Sequence, residues 1–405
     1  MTDFVDVHGF AGGLSLGTHM NGFTLRGKKE TKGAFGAPNM EVNRHILGDQ
    51  WETQAAPYED WEPIDAPLVI GNPPCSGFSS MSTPSFRGVD SAANACMWGI
   101  TEYAAKIVPE FFVFESVSQA YTQGRDLMQR LRTHLEELSG EKYHLTHVLH
   151  SAKSCGAPQL RQRYFFVAHR VPFGMEAPDI KVLSHAIDAI GDLVDLTETW
   201  DDQPVKLERS DLHPQHVARR GYRADGMVDG HFGRHGRHQE RVAALDAMTS
   251  WNEGETMSVV LKRAYEEGKQ IPEHWAHRID SLVEKDFYLG FNQPMRIRRH
   301  HIAPVCTGGA LDCQIHWASS RTLTHREVAR LMGYPDEWRI FPLRDDKGLA
   351  ATWGKGVTVD CGKWLGKWLK ESIDGHPGSQ VGETIGDRES LLDYRKHWKN
   401  FDVAA

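Results

Sequence analysis

The chain has 405 residues, 40% of them hydrophobic and 25% charged, with a formal net charge of −8. This is the composition of a soluble globular protein with room for two domains, or for one large domain carrying an insertion. It excludes binding of a polyanion by bulk charge, so any nucleic-acid contact has to come from local basic patches.

The opening segment, MTDFVDVHGF, has no basic leader before its apolar residues. No apolar run in the chain approaches the ~18 residues of a membrane span, so neither a signal peptide nor a membrane association is expected, and a cytoplasmic setting is. Phe4 to Val7 is a short apolar run, followed by the glycine-rich His8-Gly9-Phe10-Ala11-Gly12-Gly13 and a helical pattern from Leu14 to Met20. Strand, glycine-rich turn and helix open a nucleotide-binding α/β domain, because glycines permit close approach and the helix N-terminus offers free N–H groups. Phe23 to Glu30 reads as a second strand ending in an acid able to accept ribose hydroxyls, with Glu41 as a competitor for that role. Gly48-Asp49 offers a third polar contact, near an adenine.

Leu68-Val69-Ile70 is a buried strand that runs into Gly71-Asn72-Pro73-Pro74-Cys75-Ser76-Gly77. The two prolines fix φ at consecutive positions and aim the Cys75 thiol from the end of a strand. The bland reading is a small Cys packed under a turn. The six cysteines (Cys75, Cys96, Cys155, Cys306, Cys313, Cys361) lack disulfide-dense spacing, which suits a reducing compartment. Residues 91–107 and 124–138 read as helices, and 144–149 and 164–168 as strands. Phe111 to Phe114 is a fully buried strand ending in Glu115, where a carboxyl must be hydrogen-bonded or kept protonated. In GAPQLRQR, which includes Gln159, Arg161 and Arg163 alternate and so share one face of the chain.

From about residue 171 to 320 the α/β rhythm disappears into what reads as long polar loops. Residues 209–241 hold seven Arg and five His against four acids, and Met295 to His301 holds three Arg and two His with no acid. Both suit loops that track phosphates. Cys306, Cys313 and His316 lack the paired spacing of a zinc site, and no metal is expected. Arg321 to Met332 returns to helical order, with Thr324 and Glu327 as a capping box. Trp353-Gly354-Lys355-Gly356-Val357 precedes an amphipathic helix running to about Ile373, and the polar end of the chain reads as a loosely attached tail.

Taken in order, these segments resemble the DNA (cytosine-5) methyltransferase family. VDVHGFAGGLSLG resembles its cofactor loop, GNPPCSGFS its catalytic proline–cysteine loop, and FESV the acid motif usually written ENV. GAPQLRQR resembles QxRxR, RTLTHREVARLMGYP the late structural motif, and GKGV the final GNxV. The resemblance implies a Rossmann-like S-adenosyl-L-methionine-dependent α/β sheet and a smaller irregular target-recognition domain. Residues 1–170 and 321–373 would be catalytic, 171–320 would recognise double-stranded DNA, and 374–405 would be a tail; a monomer is expected. Cys75 would be the nucleophile, Glu115 would hold N3 and the amine of a flipped cytosine, and Arg163 the O2 edge, with Arg161 and Gln159 as braces. Asp6, Gly9, Phe10, Gly12, Gly13, Leu14, Glu30, Asp49, Pro73, Lys355 and Val357 would line the cofactor.

Three departures touch this site. Phe10 stands for a usual glycine, Ser116 for the asparagine beside the acid, and Lys355 for an asparagine near the sulfonium. An ammonium about 5 Å from a sulfonium costs roughly 3 kcal/mol at an effective dielectric near 20. A carboxy-S-adenosyl-L-methionine cofactor would turn that repulsion into an ion pair and yield 5-carboxymethylcytosine. Ordinary methyl transfer is the alternative if Lys355 points outward; a tRNA cytosine methyltransferase and a catalytically dead DNA-binding relative are further ones.

Overall fold

The first strand, β1 (Thr2–Val7), alternates its apolar side chains between two faces, and β4 (Leu68–Gly71), β5 (Phe111–Ser116), β6 (His144–Ser151) and β7 (Gln162–His169) do the same, while β2 (Phe23–Glu30) buries Phe23 and Leu25 on one face and β3 (Glu52–Ala55) is a polar edge. The computed structural model describes residues 2–31, 40–41, 43–75, 77–79, 85, 87–178, 183–193, 205–206, 227–228, 236–289, 293–306, 314–338 and 354–386. Phe4, Leu68, Ile70, Phe111, Val113, Phe165 and Val167 face one core, which also holds residues of the Gly13–His19 and Val359–Ile373 helices. Val5, Val7, Val69, Phe112, Phe114, Phe166 and Ala168 face the other, under the Ala95–Ile107 and Arg125–Ser139 helices. Burial on both faces is why β4 and β5 read as unbroken apolar runs.

The strands form one eight-stranded sheet in the order Thr384–Gly386, β6, β7, β5, β4, β1, β2, β3. Only β7 runs antiparallel to its neighbours. From β1 the chain moves outward through β2 and β3, then returns to β4 on the opposite side of β1. That reversal opens a crevice at the carboxyl ends of β1 and β4, where ligands of open α/β sheets collect.

The Gly13–His19 helix and the Val359–Ile373 helix meet through glycines. A Cβ on Gly17 would collide with the backbone of Gly362 and Lys363, and one on Gly362 would lie 2.6 Å from the Gly13 carbonyl oxygen. The end of the chain thereby packs directly on the first helix.

Two expectations are corrected. The segment after Ile373 is not a loose tail as far as residue 386. Thr384–Gly386 pairs in parallel with His147–Leu149 at the sheet edge, and Met175 and Gln380 exchange backbone hydrogen bonds of 3.0 and 2.9 Å. The three-residue strand is too short for its periodicity to stand out. The middle of the chain is also more regular than its polarity suggested. Gly236–Met248 and Met257–Glu266 are helices, and Val242, Leu245, Trp251, Val260, Leu261, Trp275 and Phe287 form a separate apolar cluster. Met257, Val260, Leu261 and Ala264 stand at i, i+3, i+4 and i+7, an amphipathic pattern masked by the charges between them.

In the basic stretch 295–301 two arginines have partners within the fold. Arg296 is buried, pairs with Asp246 at 2.6 Å and donates to the carbonyls of His316 and Trp317 at 3.1 and 3.0 Å. Arg299 pairs with Glu253 at 2.5 Å. Of the other basic stretch, residues 209–226 and 229–235 lie outside the described residues. No helix among the described residues is long and apolar enough to cross a membrane.

Candidate active site

Cys75 leaves the end of β4 on the Asn72-Pro73-Pro74 loop. The loop is tied to β1 by the Asn72 N–H, which donates to the Val7 carbonyl at 3.0 Å, and is closed by the Phe78 N–H on the Cys75 carbonyl at 3.0 Å. The Cys96 thiol donates to the Pro74 carbonyl at 3.4 Å. Burial pushes the Cys75 thiol above its ordinary pKa and the nearby Glu115 charge pushes it further. Arg163, Arg161 and the Val117 N–H pull the other way. The resting group is therefore a thiol whose ionisation depends on two guanidinium groups.

Glu115 is buried at the end of β5, and Arg163 Nε lies 3.1 Å from its Oε2. Burial raises the Glu115 carboxyl pKa against the opposing pull of Arg163 and Arg161. Arg161 and Arg163 share a face, as their alternation implied, and both donate to the carbonyl of Gly356: Arg161 through Nε at 2.8 Å, Arg163 through Nε at 3.2 Å and Nη2 at 3.0 Å. Arg161 also donates to the carbonyls of Gly354 and Cys306, each at 2.8 Å. Burial, then the neighbouring Arg163 charge, lowers its pKa to about 9. Gln159 donates to the Leu331 carbonyl at 2.7 Å and accepts from the Cys306 N–H at 3.3 Å. These residues clamp two distant segments, 304–306 and 354–357, onto the catalytic strands.

The clamped turn reaches the cofactor loop. Gly356 has φ 100°, and a Cβ there would lie 2.7 Å from Asn72 Nδ2. Val357 is buried with its carbonyl against Gly13. Lys355 is exposed, with its ammonium 5.7 Å from the centre of the Phe10 ring. Phe10 itself sits at φ 46°, the left-handed region that costs a side chain energy and explains why a glycine suits this position. Gly12, at φ 86°, faces Trp338, whose indole N–H donates to the Ala11 carbonyl at 2.9 Å. Leu14 is buried in the core.

Glu30 ends β2 with both oxygens engaged, by Lys28 Nζ at 2.6 Å and His8 Nδ1 at 3.0 Å. Burial alone would raise its pKa, but Lys28 and His8 outweigh that and bring it to about 2. Lys28 also lies 3.5 Å from Asp6, which accepts from the Ser15 hydroxyl. Burial raises the Asp6 carboxyl against the pull of Lys28. Glu41, the competitor, is held by Arg44 at 2.5 Å and by the Thr53 hydroxyl. Asp49 lies in an exposed loop, its carbonyl accepting from Arg44 at 3.0 Å.

Sequence reasoning missed Lys28, His8, Tyr58 and Cys96. Nothing in the sequence singled out Lys28, which stands beside Lys29 in a strand that also carries the exposed Arg26. The Ser116 hydroxyl is buried and has no hydrogen-bond partner among the described residues, so it does not replace the bracing side chain an asparagine would supply. Cys306 and His316 are buried and belong to no metal grouping among the described residues: the Cys306 thiol faces Gln314 at 3.9 Å and His316 faces Glu327 at 3.7 Å, while Cys313 lies outside the described residues.

A mixed sheet of this order, with its crevice at β1 and β4 and a thiol, an acid and two guanidinium groups gathered at the carboxyl ends, defines a Rossmann-like methyltransferase. The chain belongs to the C-5 cytosine-specific DNA methylase family, whose model matches residues 2–371. It is a transferase of the DNA (cytosine-5) methyltransferase type. It is 24% identical over 380 residues to the type II methyltransferase M.MthTI of Methanothermobacter thermautotrophicus, covering 90% of this chain and 96% of that one. It is also 24% identical over 347 residues to M1.HphI of Haemophilus parahaemolyticus, covering 83% and 78%. The fold is like that of an Escherichia coli prophage-encoded protein assigned as a DNA modification methyltransferase, with a TM-score of 0.58 and 19% identity over 92% of this chain and all of that one.

Proposed function

We propose that the enzyme alkylates C5 of a cytosine turned out of duplex DNA, with Cys75 as the nucleophile, Glu115 as the acid at N3 and Arg163 at the O2 edge. The observation that carries this reading is the Arg163–Glu115 contact of 3.1 Å beside the Cys75 loop. C5 of cytosine is a poor nucleophile. Addition of the Cys75 thiolate at C6, with the Glu115 proton passing to N3, converts the ring to an enamine that attacks through C5. Loss of the C5 proton and return of the N3 proton to Glu115 then restore the C5–C6 double bond, release the thiolate and regenerate the acid. The thiol and the acid cannot reach a stacked base, so extrusion is required. The insert, 171–320, is assigned to target recognition. The type II methyltransferases to which the chain is similar support a role in protective modification of DNA.

The crevice fits an S-adenosyl-L-methionine-type cofactor, which when bound supplies the electrophilic carbon. Two buried carboxylates, Asp6 and Glu30, share one lysine at the carboxyl ends of adjacent strands, leaving a negative pocket for a ligand with hydroxyls and cationic groups. Glu30 would accept ribose hydroxyls on the lone pairs that Lys28 and His8 leave. Gly9, Gly12, Gly13, Phe10, Leu14, Asp49, Pro73 and Val357 would form the surrounding wall.

A second reading concerns the transferred group. Lys355 is exposed with its ammonium beside Phe10, which fits ordinary methyl transfer; transfer of carboxymethyl from carboxy-S-adenosyl-L-methionine requires that ammonium to leave the ring and pair with the cofactor's carboxylate. Incubation of the enzyme with duplex DNA and both cofactors, followed by mass spectrometry of the nucleosides, tests both readings. 5-Carboxymethylcytosine lost in Lys355→Asn supports the second. 5-Methylcytosine alone, in wild type and variant alike, refutes it and leaves the first. Failure to trap a covalent adduct on 5-fluorocytosine DNA would refute the first.

A further inference from the structure

Asp6 and Lys28 are cross-strand neighbours in the parallel register of β1 and β2, and the Lys28 ammonium is wholly buried between two carboxylates. Its Nζ lies 2.6 Å from Glu30 Oε1 and 3.5 Å from Asp6 Oδ1. The other oxygens are also occupied. The Ser15 hydroxyl donates to Asp6 Oδ2, and His8 Nδ1 lies 3.0 Å from Glu30 Oε2. The Tyr58 hydroxyl, 2.8 Å from His8 Nε2, holds the imidazole in turn. An apolar side chain would fill this position at less desolvation cost than a lysine, so packing alone does not account for the residue.

We propose that Lys28 is a positioning residue of the cofactor subsite: with His8 it fixes the Glu30 carboxylate in the one orientation from which it accepts the hydroxyls of a nucleoside cofactor. The inference rests on the reading of Glu30 as the ribose acceptor. The Lys28 charge beside Oε1 and the His8 contact on Oε2 set the plane of the carboxylate and leave it lone pairs for a hydroxyl. Without Lys28, Glu30 is faced by Asp6 from β1, by His8 from the loop after β1, and through His8 by Tyr58. Two buried carboxylates would then share the pocket with no lysine between them, and one of them takes up a proton as the pH falls. A protonated Glu30 is free to rotate and presents a donor where the hydroxyl needs an acceptor.

The test is calorimetric titration of the full chain with S-adenosylhomocysteine at pH 8 and pH 6, for wild type, Lys28→Met, Glu30→Gln and the double variant. Lys28→Met is expected to weaken binding roughly 10- to 100-fold, the range of a charge-assisted hydrogen bond, and more at pH 6 than at pH 8. The double variant is expected to bind no worse than Glu30→Gln, because Lys28 acts through Glu30. Wild-type affinity in Lys28→Met, or a double variant weaker than Glu30→Gln by the whole Lys28→Met factor, overturns the proposal. Wild-type affinity in Glu30→Gln instead removes the ribose reading beneath it. Should Lys28→Met fail to fold, His8→Asn carries the same test, since asparagine tolerates the left-handed backbone at φ 58°. A loss of affinity that vanishes in the Glu30→Gln background is expected there, and unchanged affinity overturns the proposal.

Discussion

Arg163 and Glu115 meet at 3.1 Å across the antiparallel strands β7 and β5, and the guanidinium that touches the acid also holds the Gly356 carbonyl. One side chain thus couples the acid to the turn that bears Lys355. In the proposed mechanism the acid cannot be replaced, since an amide cannot deliver a proton to N3. Glu115→Gln should lower the single-turnover rate by about 10²–10⁴-fold, the range of general acid–base catalysis. DNA affinity, measured by gel shift, should change little.

The Glu30 network predicts an acid-dependent stability. The folded carboxyl titrates near 2 against an ordinary value of 4.5, so its contribution is whole above about pH 4.5 and is lost as the pH falls toward 2. Glu30→Gln should therefore melt below wild type at neutral pH, with the gap narrowing under acid conditions. A gap in melting temperature that stays constant from pH 7 to pH 3 would show that Glu30 is not ionised against Lys28.

Much of this site was legible because its chemistry depends on residues close together in sequence. The Cys75 loop needs its prolines beside it, Glu115 ends the greasiest strand, and Arg161 and Arg163 alternate within one segment. What stayed hidden depends on register and distance. That Lys28 faces Asp6 follows only from the pairing of β1 with β2. That Arg161 and Arg163 spend their donors on Gly356 depends on a contact across more than 190 residues of chain. Arg296 in the basic stretch at 295–301 was hidden for a related reason: composition cannot tell a phosphate-binding arginine from one buried on Asp246, as Arg296 is.

The edge strand gives a prediction about the end of the chain. The His147 N–H donates to the Glu383 carbonyl at 2.8 Å, and the Thr146 hydroxyl to the Gly382 carbonyl at 3.1 Å. Ending the chain at Asp374 would strip these partners and leave β6 as an open edge, which invites pairing between molecules. The truncated protein should melt lower and self-associate in analytical ultracentrifugation. A monodisperse truncation with unchanged melting would show that the strand is dispensable.

Arg161 offers a test of the clamp apart from the chemistry. Arg161→Met keeps the stem but leaves the carbonyls of Gly354 and Cys306 without their donor, while Gly356 retains Arg163. A buried orphaned acceptor costs about 1–3 kcal/mol. Chemical denaturation should therefore show a loss of at least about 2 kcal/mol if both stay dry. Since the freed turn carries Lys355 and abuts Asn72, the cofactor KM should rise as well. A variant as stable as wild type would mean that water replaces the guanidinium.

The pH dependence of the reaction distinguishes the two titrating groups. Burial raises both Glu115 and Cys75, and each charge acts on its neighbours, so the two titrate as a coupled pair in two macroscopic steps. In the proposed mechanism the reactive form holds one proton, with the thiol ionised and the acid protonated. Below the first step both groups hold protons, and the reactive form increases as one is lost. Between the two steps the pair shares a single proton, so the reactive share stays constant and the rate is flat. Above the second step the last proton leaves and the rate falls. In Glu115→Gln only the thiol requirement survives, so the plateau should become a rise of one decade per pH unit up to the thiol pKa. Single-turnover rates from pH 5 to pH 9 separate the cases: a plateau that persists in Glu115→Gln would mean that the acid does not supply the proton.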